Sequence, residues 1–143
     1  MLFQRINRTD TETVYTVVYN IAAAAITNGY AVVWSIATTV DGVAIGKPAT
    51  ATLSCLVGVA AADIADSAYG KVQVYGYKAS GWVYNNQTTA IAAGDILIPM
   101  NTAWHLGWSS VGDGKSGLIM AAESYATATT SVTANKKIFI RCL

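Results

Sequence analysis

Residues 57–77 read VGVAAADIADSAYGKVQVYGY and decide the fold class. The segment opens on an apolar run and closes on KVQVYGY, where Val72 and Val74 alternate with Lys71, Gln73 and Tyr75. Alternation with period two is the mark of a strand with one buried face. Between the two runs Asp63 and Asp66 lie three residues apart, which suits a single helical turn. Gly70, at its end, is expected to supply a turn, as are Gly76 and Gly94.

The same grammar recurs outward from this segment. Residues 13–19 (TVYTVVY), 30–36, 43–45, 53–59, 82–84, 96–98, 103–108, 118–122 and 137–143 are short runs rich in β-branched, aromatic or apolar residues. Asn28-Gly29, Asp41-Gly42, Ser80-Gly81 and Gly94-Asp95 read as the turns between them. The run IAAAAI at 21–26 favours helix by propensity. It is short and lacks a cap, so an irregular or extended crossover is expected there. Some eight to ten strands and no long helix predict an all-β single domain, a β-barrel or β-sandwich with a β-tulip-like arrangement among the alternatives. The β domain is expected over residues 13–143. Residues 1–12 form an N-terminal arm, read either as a frayed end or as a segment that orders on a partner.

Composition limits the function. Only 12% of the 143 residues are charged and 53% are hydrophobic, against about 25% charged in an average soluble protein. The most apolar run, residues 14–26, is shorter than the ~20 residues a membrane-crossing helix needs. Burial of surface against other subunits is the remaining explanation, and a homo-oligomer without a membrane is expected. Nine basic and eight acidic residues, thinly spread, give no footprint for nucleic acid. Arg5, Arg8 and Asp10 stand where a secretory leader needs apolar residues, so export by that route is not expected. Cys55 and Cys142 then read as buried, reduced thiols in place of a disulfide.

No catalytic constellation assembles. His105 is the sole histidine, and the two cysteines lie far from it in sequence. A structural histidine is the reading it supports. Gly114-Lys115-Ser116 lacks the glycine that a phosphate-binding loop carries five residues earlier, where Ser109 stands. No enzyme activity, cofactor or metal is expected. The aromatic residues carry more weight. Tyr75, Tyr77, Trp82 and Tyr84 crowd one expected hairpin, more than one buried face accepts, and are assigned to a subunit interface.

Residues 58–77, AIAAGDILIP at 90–99 and the closing KKIFIRCL at 136–143 together resemble small capsid decoration (cement) proteins of tailed bacteriophages. The resemblance covers about a third of the chain and rests on structural glycines and apolar strands. It implies a virion structural protein, made in the host cytoplasm, that binds the outer surface of the phage head. Such a protein is commonly a trimer bridging copies of the major capsid protein. It also implies a terminal arm laid on the shell, with Leu2, Phe3, Arg5 and Ile6 as its contacts. Two alternatives remain open: another virion component, such as a head-fibre base or tail protein, and a carbohydrate-binding β-sandwich that stacks sugars on Tyr75, Tyr77, Trp82 and Tyr84.

Overall fold

The computed structural model describes residues 12–36, 42–85, 90–108, 118–126 and 132–142. The N-terminal arm with Leu2, Phe3, Arg5 and Ile6 lies outside them, as does the Gly114-Lys115-Ser116 loop. The fold is all-β. Its strands are β1 (Val14–Asn20), β2 (Ala31–Trp34), β3 (Ala44–Gly46), β4 (Leu56–Ala60), β5 (Tyr69–Asn85), β6 (Ile96–Pro99), β7 (Leu106–Trp108), β8 (Ile119–Ala121) and β9 (Val132–Arg141). The one helical element among the described residues is a 3-10 turn at Thr50–Thr52.

The sheet closes on itself twice. One ring runs β1-β3-β2-β4-β5 and back to β1. The other runs β5-β7-β6-β8-β9 and back to β5. The 17-residue strand β5 belongs to both, its first half to the first ring and its second half to the second. When the five strands of each ring are numbered in chain order, both rings have the cyclic order 1-3-2-4-5. In both, the contact between strands 1 and 3 is parallel and the other four are antiparallel. Closing a ring removes the free strand edges that an open sheet would expose.

Hydrogen bonds repeat along with topology. In the first ring Ile26 and Ile64 exchange N–H···O bonds, Gly29 N–H donates to Ala60 O, and Ala60 N–H donates to Tyr30 O. In the second, Ile91 and Tyr125 exchange bonds, Gly94 N–H donates to Ala121 O, and Ala121 N–H donates to Asp95 O. The matching residues are offset by 65 positions over the first two strands of each ring: Tyr19 and Tyr84, Asn20 and Asn85, Ile26 and Ile91, Gly29 and Gly94. Each ring encloses its own core. Val18, Ile26, Val32, Ala60 and Val72 fill the first, and Val83, Ile91, Leu97, Ala121 and Ile138 the second.

Buried asparagines hold the same place in both rings. Asn20, at the end of β1, donates through Nδ2 to the carbonyl oxygens of Ala24 (2.8 Å) and Ala65 (3.0 Å) and accepts from Ala22 N–H (2.9 Å). Those bonds fix the following alanines in an irregular path, which explains why a run of helix formers makes no helix. Asn85, at the end of β5, donates to Ala126 O (2.7 Å).

Several sequence expectations are corrected. Residues 60–68 form no helical turn; they bend through the Ile26–Ile64 bridge instead. Ser80-Gly81 is not a turn, because β5 runs through it. The register against β9 slips between Lys78 and Gly81, where three steps on β5 match two on β9. That is a β-bulge, with an extra residue on one strand. Gly70 and Gly76 likewise lie inside β5 and make no turn. Gly70 is needed for space, since a Cβ there would collide with the Ile64 side chain, and Gly76 admits the Glu12 carbonyl. Gly94 does occupy the expected turn, with φ of +96°.

Candidate interaction surface

The β5 bulge decides where the expected interface aromatics point. Without it, Tyr75 and Tyr77 would face opposite to Trp82 and Tyr84, because their numbers differ in parity. With it, burial alternates so that Val74, Gly81, Val83 and Asn85 point inward while Tyr75, Tyr77, Trp82 and Tyr84 share the outer face, each half-buried. They do not gather into one platform. Tyr75 and Tyr84 are nine residues apart, up to about 30 Å along a strand. Tyr75 packs edge-to-face on Phe139 with ring centres 5.7 Å apart. Tyr84 lines a shallow cleft of about 280 Å³ with Leu53, Met100, Asn101 and Trp108.

Trp82 lies at the seam between the rings. Its backbone N–H donates to Gly29 O (3.0 Å) and its indole Nε1–H to Asn28 O (3.2 Å). Gly29 has φ of +90°, and a Cβ on it would lie 2.6 Å from Ser80 O and 3.0 Å from Trp82 Cδ1. Only glycine brings that turn so close to β5 in that conformation. Tyr30 completes the seam, stacked on Trp104 at 5.6 Å and edge-on to Trp82 at 6.1 Å. Ala31 N–H donates to Trp104 O (2.9 Å). The turn of the first ring thus plugs the β5 edge where the strand passes into the second ring.

Apart from Ile36, which follows β2 and is 54% exposed, the most exposed large apolar side chains lie on the outer face of β1 and the start of β5. Tyr15 is 49% exposed, Val17 60% and Tyr69 70%. Tyr15, Val17 and Tyr19 are alternate residues of β1 and pair with Gln73, Lys71 and Tyr69. The Tyr19 and Tyr69 rings touch, with centres 5.0 Å apart. Sequence reasoning missed this strip. Its signal was the alternation Tyr15, Val17, Tyr19, hidden because Val14 and Val18 on the opposite face are apolar too. Gln73, expected to face outward with Lys71, is buried; its amide donates to Tyr77 O at 3.0 Å.

The titratable groups serve structure. Asp63 accepts from Asn28 N–H at 2.7 Å, joining two loops of the first ring. Lys78 is buried beside the bulge and donates to Asn28 Oδ1 (2.9 Å); burial lowers its pKa. His105 sits edge-on to Tyr30, and its pKa is lowered by burial and then by Lys47. Cys55 and Cys142 are free thiols, both half-buried where full burial was expected. Among the described residues, no three of His, Cys, Asp or Glu gather as metal ligands would. Nor is any helix there long and apolar enough to cross a membrane. No known protein family matches this chain, and no curated protein matches it in sequence.

Proposed function

We propose that this protein is a capsid decoration protein that binds the outer face of an assembled phage head as a homo-oligomer, a trimer in the favoured arrangement. The observation that carries the reading is the exposed strip of Tyr15, Val17 and Tyr69 on a chain with few charges. An apolar strip of this kind marks a surface that works by contact with another protein. Rings of strands that leave little free edge suit a part that must be made at high copy number and assemble without aggregating.

In this reading the body supplies subunit contacts and the arm residues Leu2, Phe3, Arg5 and Ile6 engage the major capsid protein. Linking several arms in one oligomer raises the effective concentration of each at the shell, so weak single contacts sum to stable attachment. The test is co-pelleting of purified protein with expanded heads built from the capsid protein encoded alongside it. Replacing Leu2, Phe3 and Ile6 by serine is expected to abolish pelleting while the folded oligomer persists.

A second reading, carbohydrate binding, is favoured only by the cleft that pairs Tyr84 and Trp108 with the Asn101 amide. Sugar binding that vanishes in Trp108→Ala with the fold intact would support it.

A further inference from the structure

The seam inside the chain shows what the exposed strip on β1 is shaped to receive. Strand β1 and the second half of β5 are strand 1 of their rings, offset by 65 positions, so Tyr15, Val17 and Tyr19 correspond to Ser80, Trp82 and Tyr84. The parallel partner agrees: Tyr19 pairs with Ala44 on β3 as Tyr84 pairs with Gly107 on β7. In the second ring this stretch is covered, because the Asn28-Gly29-Tyr30 turn lies on Ser80 and Trp82 and Gly29 O accepts from Trp82 N–H. In the first ring no described residue is seen to bond the equivalent stretch in this way. Val17 and Tyr15 are exposed. Tyr19 N–H donates to Val43 O on the β3 side. The N–H of Val17, two residues earlier, points the same way and meets no acceptor among the described residues.

The turn that would cover it also exists at the far ring, with no strand seated on it among the described residues. Ala93-Gly94-Asp95 corresponds to Asn28-Gly29-Tyr30, with the same glycine conformation (φ of +96° against +90°) and the same bonds to β8 that Gly29 and Tyr30 make to β4. Around Gly29 a Cβ would meet Ser80 and Trp82; around Gly94 it would meet nothing within 4 Å. One ring shows an occupied socket and a seated turn, and the two outer counterparts have no such partner among the described residues.

We propose that copies of this chain associate head to tail, the Ala93-Gly94-Asp95 turn of one copy seating on the Tyr15–Val17–Tyr19 edge of β1 in the next. Gly94 O then accepts from Val17 N–H as Gly29 O accepts from Trp82 N–H. The contact repeats between chains the seam that joins the rings within one. It is heterologous, so each copy uses two different surfaces and the assembly closes into a ring or extends as a filament according to its rotation. Asp95 stands where Tyr30 stands, so the seam between chains lacks the aromatic stack of the inner one and is the weaker of the two. The inference names the subunit contact of the proposed oligomer but rests on the equivalence of the rings. Failure to bind heads leaves it intact.

The test uses two full-length variants and their mixture. Val17→Asp charges the socket and Ala93→Glu the turn; both sites are exposed, so circular dichroism and melting should match the wild type. By light scattering the wild type is expected as an oligomer and each variant as a monomer. Mixing the two is expected to give a dimer and nothing larger, because the turn of Val17→Asp still fits the edge of Ala93→Glu while the opposite pairing sets carboxylate against carboxylate. A monomeric wild type, a variant that keeps the wild-type mass, or a mixture that stays monomeric would each overturn the proposal.

Discussion

Asn20 and Asn85 occupy the same position in two rings of identical strand order, and each ties the end of strand 1 to the loop between strands 4 and 5. The two are not equally well satisfied. Asn20 uses both ends of its amide, whereas Asn85 Oδ1 is buried and meets no hydrogen-bond donor among the described residues. A buried carbonyl left without its donor costs ~1–3 kcal/mol. Asn20→Ala strands the acceptors at Ala24 and Ala65 and is expected to lose about 3 kcal/mol in urea denaturation. Asn85→Ala removes an unsatisfied oxygen along with its donor and is expected to lose about half as much.

Gly70 and Asp63 flank the same loop but differ in consequence. A side chain at Gly70 has to displace Ile64, which is buried in the first core, so Gly70→Val is expected to destabilise by on the order of 3 kcal/mol through overpacking. Asp63→Asn keeps an oxygen able to accept from Asn28 N–H and is expected to cost less than about 1 kcal/mol. The two midpoints measured under one denaturant series check both values.

Lys78 makes stability depend on alkaline pH in a known direction. Burial places its native pKa below the ordinary 10.5, so in that window the unfolded chain holds more protons than the native one. Stability contributed by this site therefore rises as pH climbs through the native pKa towards 10.5. Lys78→Met removes the effect, since a buried charge is replaced by an apolar chain of similar length. At neutral pH the variant is expected to be at least as stable as the wild type. Its advantage should shrink as the pH is raised, which denaturation midpoints from pH 7 to pH 10.5 will show.

Cys142 is expected to resist alkylation. Burial pushes its pKa up to about 12, although the bond from the Arg141 backbone pulls the other way. At pH 8 the reactive thiolate is then roughly one part in 10,000. Iodoacetamide labelling followed by peptide mass analysis should modify Cys142 in urea and leave it largely untouched in the native protein.

The strands were legible in the sequence wherever alternation or β-branching was strong, as in TVYTVVY at residues 13–19 and KVQVYGY at 71–77. What failed was punctuation. Ser80-Gly81 has the chemistry of a turn, yet pairing with β9 carries the strand through it, and a bulge takes up the irregularity. Gly70 has the same ambiguity, because sequence alone does not separate a glycine that bends the chain from one that makes room for Ile64. The duplication was written in the spacing of Tyr19-Asn20, Ile26 and Gly29 against Tyr84-Asn85, Ile91 and Gly94. It went unread because IAAAAI and NQTTAI share little besides Ala-Ile at their ends. The exposed strip on β1 was hidden for a different reason: its outer residues Tyr15, Val17 and Tyr19 carry no charge, and the polar Thr16 and Asn20 of that strand lie on the inner face.

Attachment to a shell is the central claim, and co-pelleting with expanded heads tests it most directly. Wild-type protein is expected to sediment with heads to a saturating stoichiometry, and the serine variant at Leu2, Phe3 and Ile6 to remain in the supernatant as an intact oligomer. Wild-type protein that is folded and oligomeric yet stays in the supernatant at every head concentration would contradict it.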